Sequence, residues 1–167
     1  MVKLFFRLVM LGILAIAIWW GWQYYFTGEE VRIRKMLANL SEVVSVPQRE
    51  STIQMLASAN GIQNHLLPEI VVDVDTPELG HKKFSERTEL MQACMAARQM
   101  MPGLKVELLD PQIKVASDKH SASVEVTIKA TQPGKKDLMA QEIRMTLQKP
   151  DKEWRVSKVE TVQVLRK

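Results

Sequence analysis

The chain predicts an α+β fold, three N-terminal helices packed in a strongly curved, mainly antiparallel sheet, preceded by one transmembrane helix. Three observations carry this. Helical periodicity is confined to the stretch before Pro102, strict alternation of apolar and polar residues follows it, and the N-terminus holds a long run without charge. A chain of 167 residues makes one domain, and residues 27–167 are enough to bury a core unaided by disulfides or metals. Cys94 is the only cysteine, so no intramolecular disulfide forms.

Leu8 to Gly28 contains 21 residues and no charge. As a helix this run is about 31 Å long, close to the hydrocarbon thickness of a bilayer. Lys3 and Arg7 flank one end, and Trp19, Trp20, Trp22, Tyr24 and Tyr25 crowd the other, where amphipathic rings favour the membrane interface. Ala15-Ile16-Ala17 resembles a signal-peptidase site, but the apolar run continues through Trp19 and Trp20. Residues 1–26 are therefore read as an uncleaved signal-anchor. The short basic tail favours a single-pass protein with its domain outside the cytoplasm.

In the soluble part, Thr27-Gly28-Glu29-Glu30 has the form of a capping box. Ile33, Leu37, Leu40 and Val44 then recur on one helical face up to Pro47. Ser51 is expected to cap a second helix, with Ile53, Met55 and Leu56 inside and Asn60-Gly61 as its stop. Glu69–Asp75 predicts a strand, and Gly80–Phe84 a short return strand. Ser85 begins a third helix with Leu90, Cys94, Ala97 and Met101 on its buried face, closed by Pro102-Gly103. Leu104–Ala116 is a long strand with a bend at Asp110-Pro111. Ala122, Val124, Val126, Ile128 and Ala130, then Ile143, Met145 and Leu147, alternate with polar residues, and Trp154–Leu165 is the last strand.

Composition narrows the function. Of the net charge of +4, Lys3 and Arg7 supply two, and the remaining charges alternate in sign without forming a stripe. Basic patches interleaved with aromatics are absent, so a nucleic-acid partner is not expected. Beyond residue 26 the aromatics are Phe84 and Trp154 alone, so Val, Ile, Leu and Met must build the core.

The block Asp151-Lys152-Glu153-Trp154-Arg155-Val156-Ser157-Lys158-Val159-Glu160 is similar to the final strand of the nuclear transport factor two-like superfamily, the SnoaL-like or cystatin-like cones. Gly80 through Pro102-Gly103-Leu104-Lys105-Val106 resembles that superfamily's third helix and following strand, and the resemblance spans about residues 29–166. It implies a cone with an internal pocket. Members include ketosteroid isomerase, scytalone dehydratase and limonene epoxide hydrolase. Non-enzymatic members include a membrane-anchored periplasmic assembly subunit of type IV secretion systems, which carries a longer cytoplasmic tail than this chain.

Candidate chemistry is sparse. Asp73 and Asp75 share one face of the first strand, and the resemblance makes Asp73 the acid–base candidate of an isomerase or dehydratase. Such a base needs a donor for the developing oxyanion, often a tyrosine, and residues 27–167 contain none. His65, His81 and His120 lack metal-ligand spacing, and no GxSxG elbow is present. Met91, Cys94 and Met95 bring soft sulfur ligands onto one helix, which would suit Cu(I), although the same spacing suits a core. Glu107, Arg144, Trp154 and Glu160 are the expected pocket-lining residues. The sequence therefore favours a non-catalytic, membrane-anchored envelope domain without a cofactor, binding an envelope protein or a small apolar ligand. It also predicts a weak homodimer through the outer sheet face, where Thr127 and Thr146 lie.

Overall fold

The apolar stripe of the first helix organises the interior. In the computed structural model, which describes residues 28–76, 80–134 and 139–162, helix α1 (Glu29–Val44) buries Ile33, Met36 and Leu37 in the core. It begins with Gly28 at the N-cap and no side-chain cap, and the proposed N-cap Thr27 lies outside the described residues. The anchor assigned to residues 1–26, with Lys3, Arg7, Trp19, Trp20, Trp22, Tyr24 and Tyr25, also lies outside them. Among the described residues no helix is long and apolar enough to cross a membrane.

Helix α2 (Thr52–Asn64) is opened by the expected Ser51 cap, in a reciprocal box with Gln54. It does not stop at Asn60-Gly61. Gly61 lies inside the helix, where a Cβ would come within 3.0 Å of a Val43 methyl, so glycine serves close packing on α1. Nor are Ile53 and Leu56 inside: they are 80% and 56% exposed, and Ile62 is the helix's buried residue.

Strand β1 (Leu66–Thr76) is longer than the sequence suggested and pairs antiparallel with β2 (Gly80–Phe84). Helix α3 (Arg87–Met100) has Glu86, not Ser85, at its N-cap position. Strands β3 (Lys105–Val115), β4 (Ser121–Thr131), β5 (Met139–Gln148) and β6 (Arg155–Thr161) form an antiparallel meander. The sheet order is β2-β1-β6-β5-β4-β3, with β1 and β6 parallel. Register shifts at Leu109/Gln112 on β3, Leu66/Val71 on β1 and Thr146/Leu147 on β5 bend the sheet. At the first of these Asp110 adopts φ 51°, beside the Asp110-Pro111 bend the sequence anticipates. The concave face carries Val124, Val126, Ile143, Met145, Leu147 and Val156, all buried against the helices.

One end of the cone is closed by a latch. Glu29, in the first turn of α1, accepts hydrogen bonds from Trp154 Nε1 at 2.7 Å and Lys149 Nζ at 2.8 Å. The Lys149 ammonium also sits 5.7 Å from the Trp154 ring centroid, and its backbone N–H donates to His120 O. The β3–β4 turn, the β5–β6 turn and the start of α1 thus meet at this turn end.

Burial pushes the Glu29 carboxyl up, but donors Trp154 and Lys149 and the charges of Lys149 and Arg32 outweigh it and hold the group below its usual 4.5. A carboxyl lowered in the folded state adds stability above its unfolded value and loses it as pH falls through the folded one. Trp154→Phe should therefore cost about 2 kcal/mol near neutral pH, since a hydrogen bond to a charged acceptor is lost. Denaturant titrations at several pH values check this: the deficit should shrink once Glu29 protonates.

Candidate functional site

The interior of the cone is not filled. A cavity of about 230 Å³ lies between α1, α3 and the sheet. Its walls include Leu40 and Val44 of α1, Leu90 and Cys94 of α3, and Leu108 and Ile128 of the sheet. These walls follow from alternation: the odd-versus-even pattern that buries Val124 and Val126 brings Ile128 of the same strand to the inner face. Two lining side chains carry a polar hydrogen. The Ser41 hydroxyl is committed, donating to Val106 O at 2.6 Å. The Cys94 thiol is pushed up by burial, partly offset by the nearby Arg98 charge, and so stays protonated at neutral pH.

A second, open cleft of about 610 Å³ lies at the far end, between the α1–α2 loop and the C-terminus of α3. Its floor is Arg98, 5% exposed. The guanidinium donates to Val43 O at 2.8 Å, Val44 O at 3.3 Å and Ser45 O at 3.3 Å, and its Nε reaches Glu50 Oε2 at 3.2 Å. It thereby neutralises the carbonyl end of α1 while pairing with Glu50, whose side chain is 7% exposed. Sequence reading did not single out this pair, which sits 48 residues apart in the chain. An arginine beside the predicted buried face of α3 was the available signal. Arg49 and Gln99 line the same cleft, and the exposed Ile53, Leu56 and Met100 come from the helices that frame it.

The residues nominated from sequence fall elsewhere. Asp73 and Asp75 do share a face, but Ile70 and Val72 occupy the inner one, so both aspartates point outward. Asp73 Oδ1 lies 2.6 Å from His81 Nε2 of β2, with both side chains well exposed. Glu107, Arg144 and Glu160 are not among the cavity's lining residues. They face outward because their strand neighbours Val106, Leu108, Ile143, Met145 and Val159 take the inner positions. Glu125, Arg144 and Glu160 are register partners across β4, β5 and β6, with Arg144 2.8 Å from Glu125 and 3.7 Å from Glu160. Hydrogen bonding from Arg144 holds the Glu125 carboxyl low, as Lys105 does for Glu107. Trp154 is buried, but in the latch. Of the sulfur trio, Cys94 lines the cavity and Met91 packs on the core, with Met95 half-buried. His65 caps α2, where burial lowers its pKa, and His120 Nδ1 lies 2.6 Å from Asp118 O in the β3–β4 turn. Among the described residues no cluster of three or more His, Cys, Asp or Glu is placed to hold a metal.

This architecture, helices held in the concavity of a mixed six-stranded sheet, is the cystatin-like cone. No family profile matches the chain, and no curated protein matches it in sequence. Solved structures do. A nuclear transport factor two-like protein with a cystatin-like fold from Novosphingobium aromaticivorans superposes with a TM-score of 0.64 at 12% identity, covering 88% of this chain and 89% of that one. A candidate scytalone dehydratase from the same organism gives 0.61 at 15% identity, covering 81% and 85%. A cystatin-like protein of unknown function from Nostoc punctiforme gives 0.61 at 10% identity, covering 80% and 89%. These likenesses establish the fold.

Removing Arg98 should be costly, because it strands the Glu50 carboxylate and three carbonyls. Arg98→Ala is expected to lose about 3–5 kcal/mol, the range for breaking a buried pair. Glu50→Ala should lose less, since the guanidinium keeps its carbonyl partners, and urea denaturation of both variants checks the ranking.

Proposed function

We propose that this chain is a non-catalytic, single-pass membrane protein whose cone is a binding module of the cell envelope. Residues 1–26 act as signal-anchor and the cone stands outside the cytoplasm. The observation that carries the binding half is the cavity: its walls are apolar, its one hydroxyl is already bonded, and its thiol is protonated. Such a lining offers no acid, base or oxyanion donor, which favours holding a ligand over transforming it. The space is open to solvent on one side, and 230 Å³ between apolar walls suits an uncharged molecule of one or two rings. The open cleft, lined by Arg49, Gln54, Met55 and Gln99, is the surface offered to a partner protein.

The alternative, an isomerase or dehydratase with Asp73 as base, draws support from the Asp73–His81 contact and from the fold shared with a candidate dehydratase. The outward aim of Asp73 counts against it, since the carboxylate is not among the residues lining the interior cavity. The outer sheet face, with its Glu125–Arg144–Glu160 ladder, Thr127 and Thr146, would form a weak, wet homodimer, favoured by tethering to one membrane. A concentration-independent monomer mass for the full chain in detergent would rule that dimer out.

Cys94 reports the cavity directly. Its reaction with a small maleimide should be slow, and toluene or indole should slow it further by occupying the same space. Leu108→Trp, which fills the cavity, should abolish the ligand effect while leaving the circular dichroism unchanged. A rate indifferent to every apolar probe would overturn the ligand reading. Orientation is read by an impermeant thiol reagent on Lys119→Cys in a Cys94→Ala background, in intact cells. Labelling is expected there, and labelling only after permeabilisation would move the cone to the cytoplasm.

A further inference from the structure

The latch at Glu29 has a mechanical meaning once its place in the chain is considered. The uncharged run ends at Gly28, and Glu29 is both the first residue of α1 and the acceptor clamped by Lys149 and Trp154. Only Thr27 and Gly28 lie between the proposed anchor, residues 1–26, and the first residue of α1. A flexible tether needs several residues of loose chain to decouple its two ends, and here the first residue after the run is already bonded to the β5–β6 turn. Lys149 N–H donating to His120 O extends the clamp to the β3–β4 turn.

We infer that the cone stands in a fixed orientation on the bilayer, its turn end against the lipid headgroups and its open cleft pointing away. This rests on the membrane-anchor reading above. The surface facing lipid comprises the β3–β4 turn with Asp118, Lys119 and His120, and the β5–β6 turn with Asp151, Lys152 and Glu153. The opposite end holds the C-terminus of α1, the loop with Arg49 and Glu50, and the C-terminus of α3. The length of α1, 16 residues, separates the two by about 24 Å. Charge does not set the orientation: the turn end mixes Arg32, Lys119, Lys149 and Lys152 with Glu29, Glu30, Asp118, Asp151 and Glu153. Its net charge is close to neutral, so attraction to anionic lipid is weak and the latch holds the pose.

The test uses the full chain in liposomes, with single fluorescent labels in a Cys94→Ala background. Lys119→Cys and Lys152→Cys mark the turn end, and Arg49→Cys and Gln99→Cys the cleft end. A nitroxide on the lipid headgroup quenches labels near the surface. With about 24 Å between the ends, the turn-end labels should be quenched at least about three-fold more than the cleft-end labels. The contrast should be the same in phosphatidylcholine alone and with phosphatidylglycerol added. Glu29→Ala, and the milder Lys149→Ala, should bring the ratio toward one while the protein stays folded and floats with the vesicles. Equal or reversed quenching in floating protein overturns the orientation and leaves the anchor standing. Contrast that appears only with anionic lipid, or survives both latch variants, overturns the latch as its cause. A chain that does not float with vesicles at all overturns the anchor reading and this inference with it.

Discussion

The cone depends on a buried cation at the place where its three helices converge. Helices in a curved sheet have an end problem: the last carbonyls of α1 point into a junction shared with the next loop and with α3, where water access is limited. Arg98 resolves it with one side chain. Its planar guanidinium satisfies three successive carbonyls from Val43 to Ser45 and still presents Nε and Nη2 to Glu50. Lysine, a single point of charge, does not span that fork. The loop that Glu50 anchors in turn delivers Ser51 to cap α2, and its Pro47 carbonyl receives Gly103 N–H at the entry to β3. Helix order, loop shape and the start of the meander are therefore coupled to one ion pair.

Elements whose signal is local were legible in the sequence. The Ile33–Leu37 stripe, the Ser51 cap, the alternation of β4 and β5 and the bend at Asp110-Pro111 are all periodicity or backbone chemistry within a few residues. What joins distant parts was not. Arg98 reads like a solvated helix charge until Glu50 is brought beside it, and Glu29 meets Trp154 across 125 positions. Gly61 looked like a stop because packing against Val43 leaves no trace in the local pattern. Spacing showed that Asp73 and Asp75 share a face. It did not show which face, and that depends on Ile70 and Val72 choosing the core.

The same division explains the interior. A chain with Phe84 and Trp154 as its only aromatics beyond residue 26 has few side chains large enough to fill a cone, and Trp154 is committed to the latch. Branched aliphatics line the walls but do not reach the centre, so space remains. The charged residues nominated for that space instead form cross-strand ladders outside, where water screens them and opposite signs alternate.

The two rims of the sheet carry a further consequence. Unpaired strand edges invite copies of a protein to add to one another. Here one rim is β2, five residues long, carrying His81, Lys82 and Lys83. The other is β3, broken at Asp110-Pro111 and bordered by Lys105 and Lys114. Brevity and positive charge guard the first, and a proline-bearing kink guards the second. Pairing of one molecule's sheet edge with another's is therefore disfavoured at both rims.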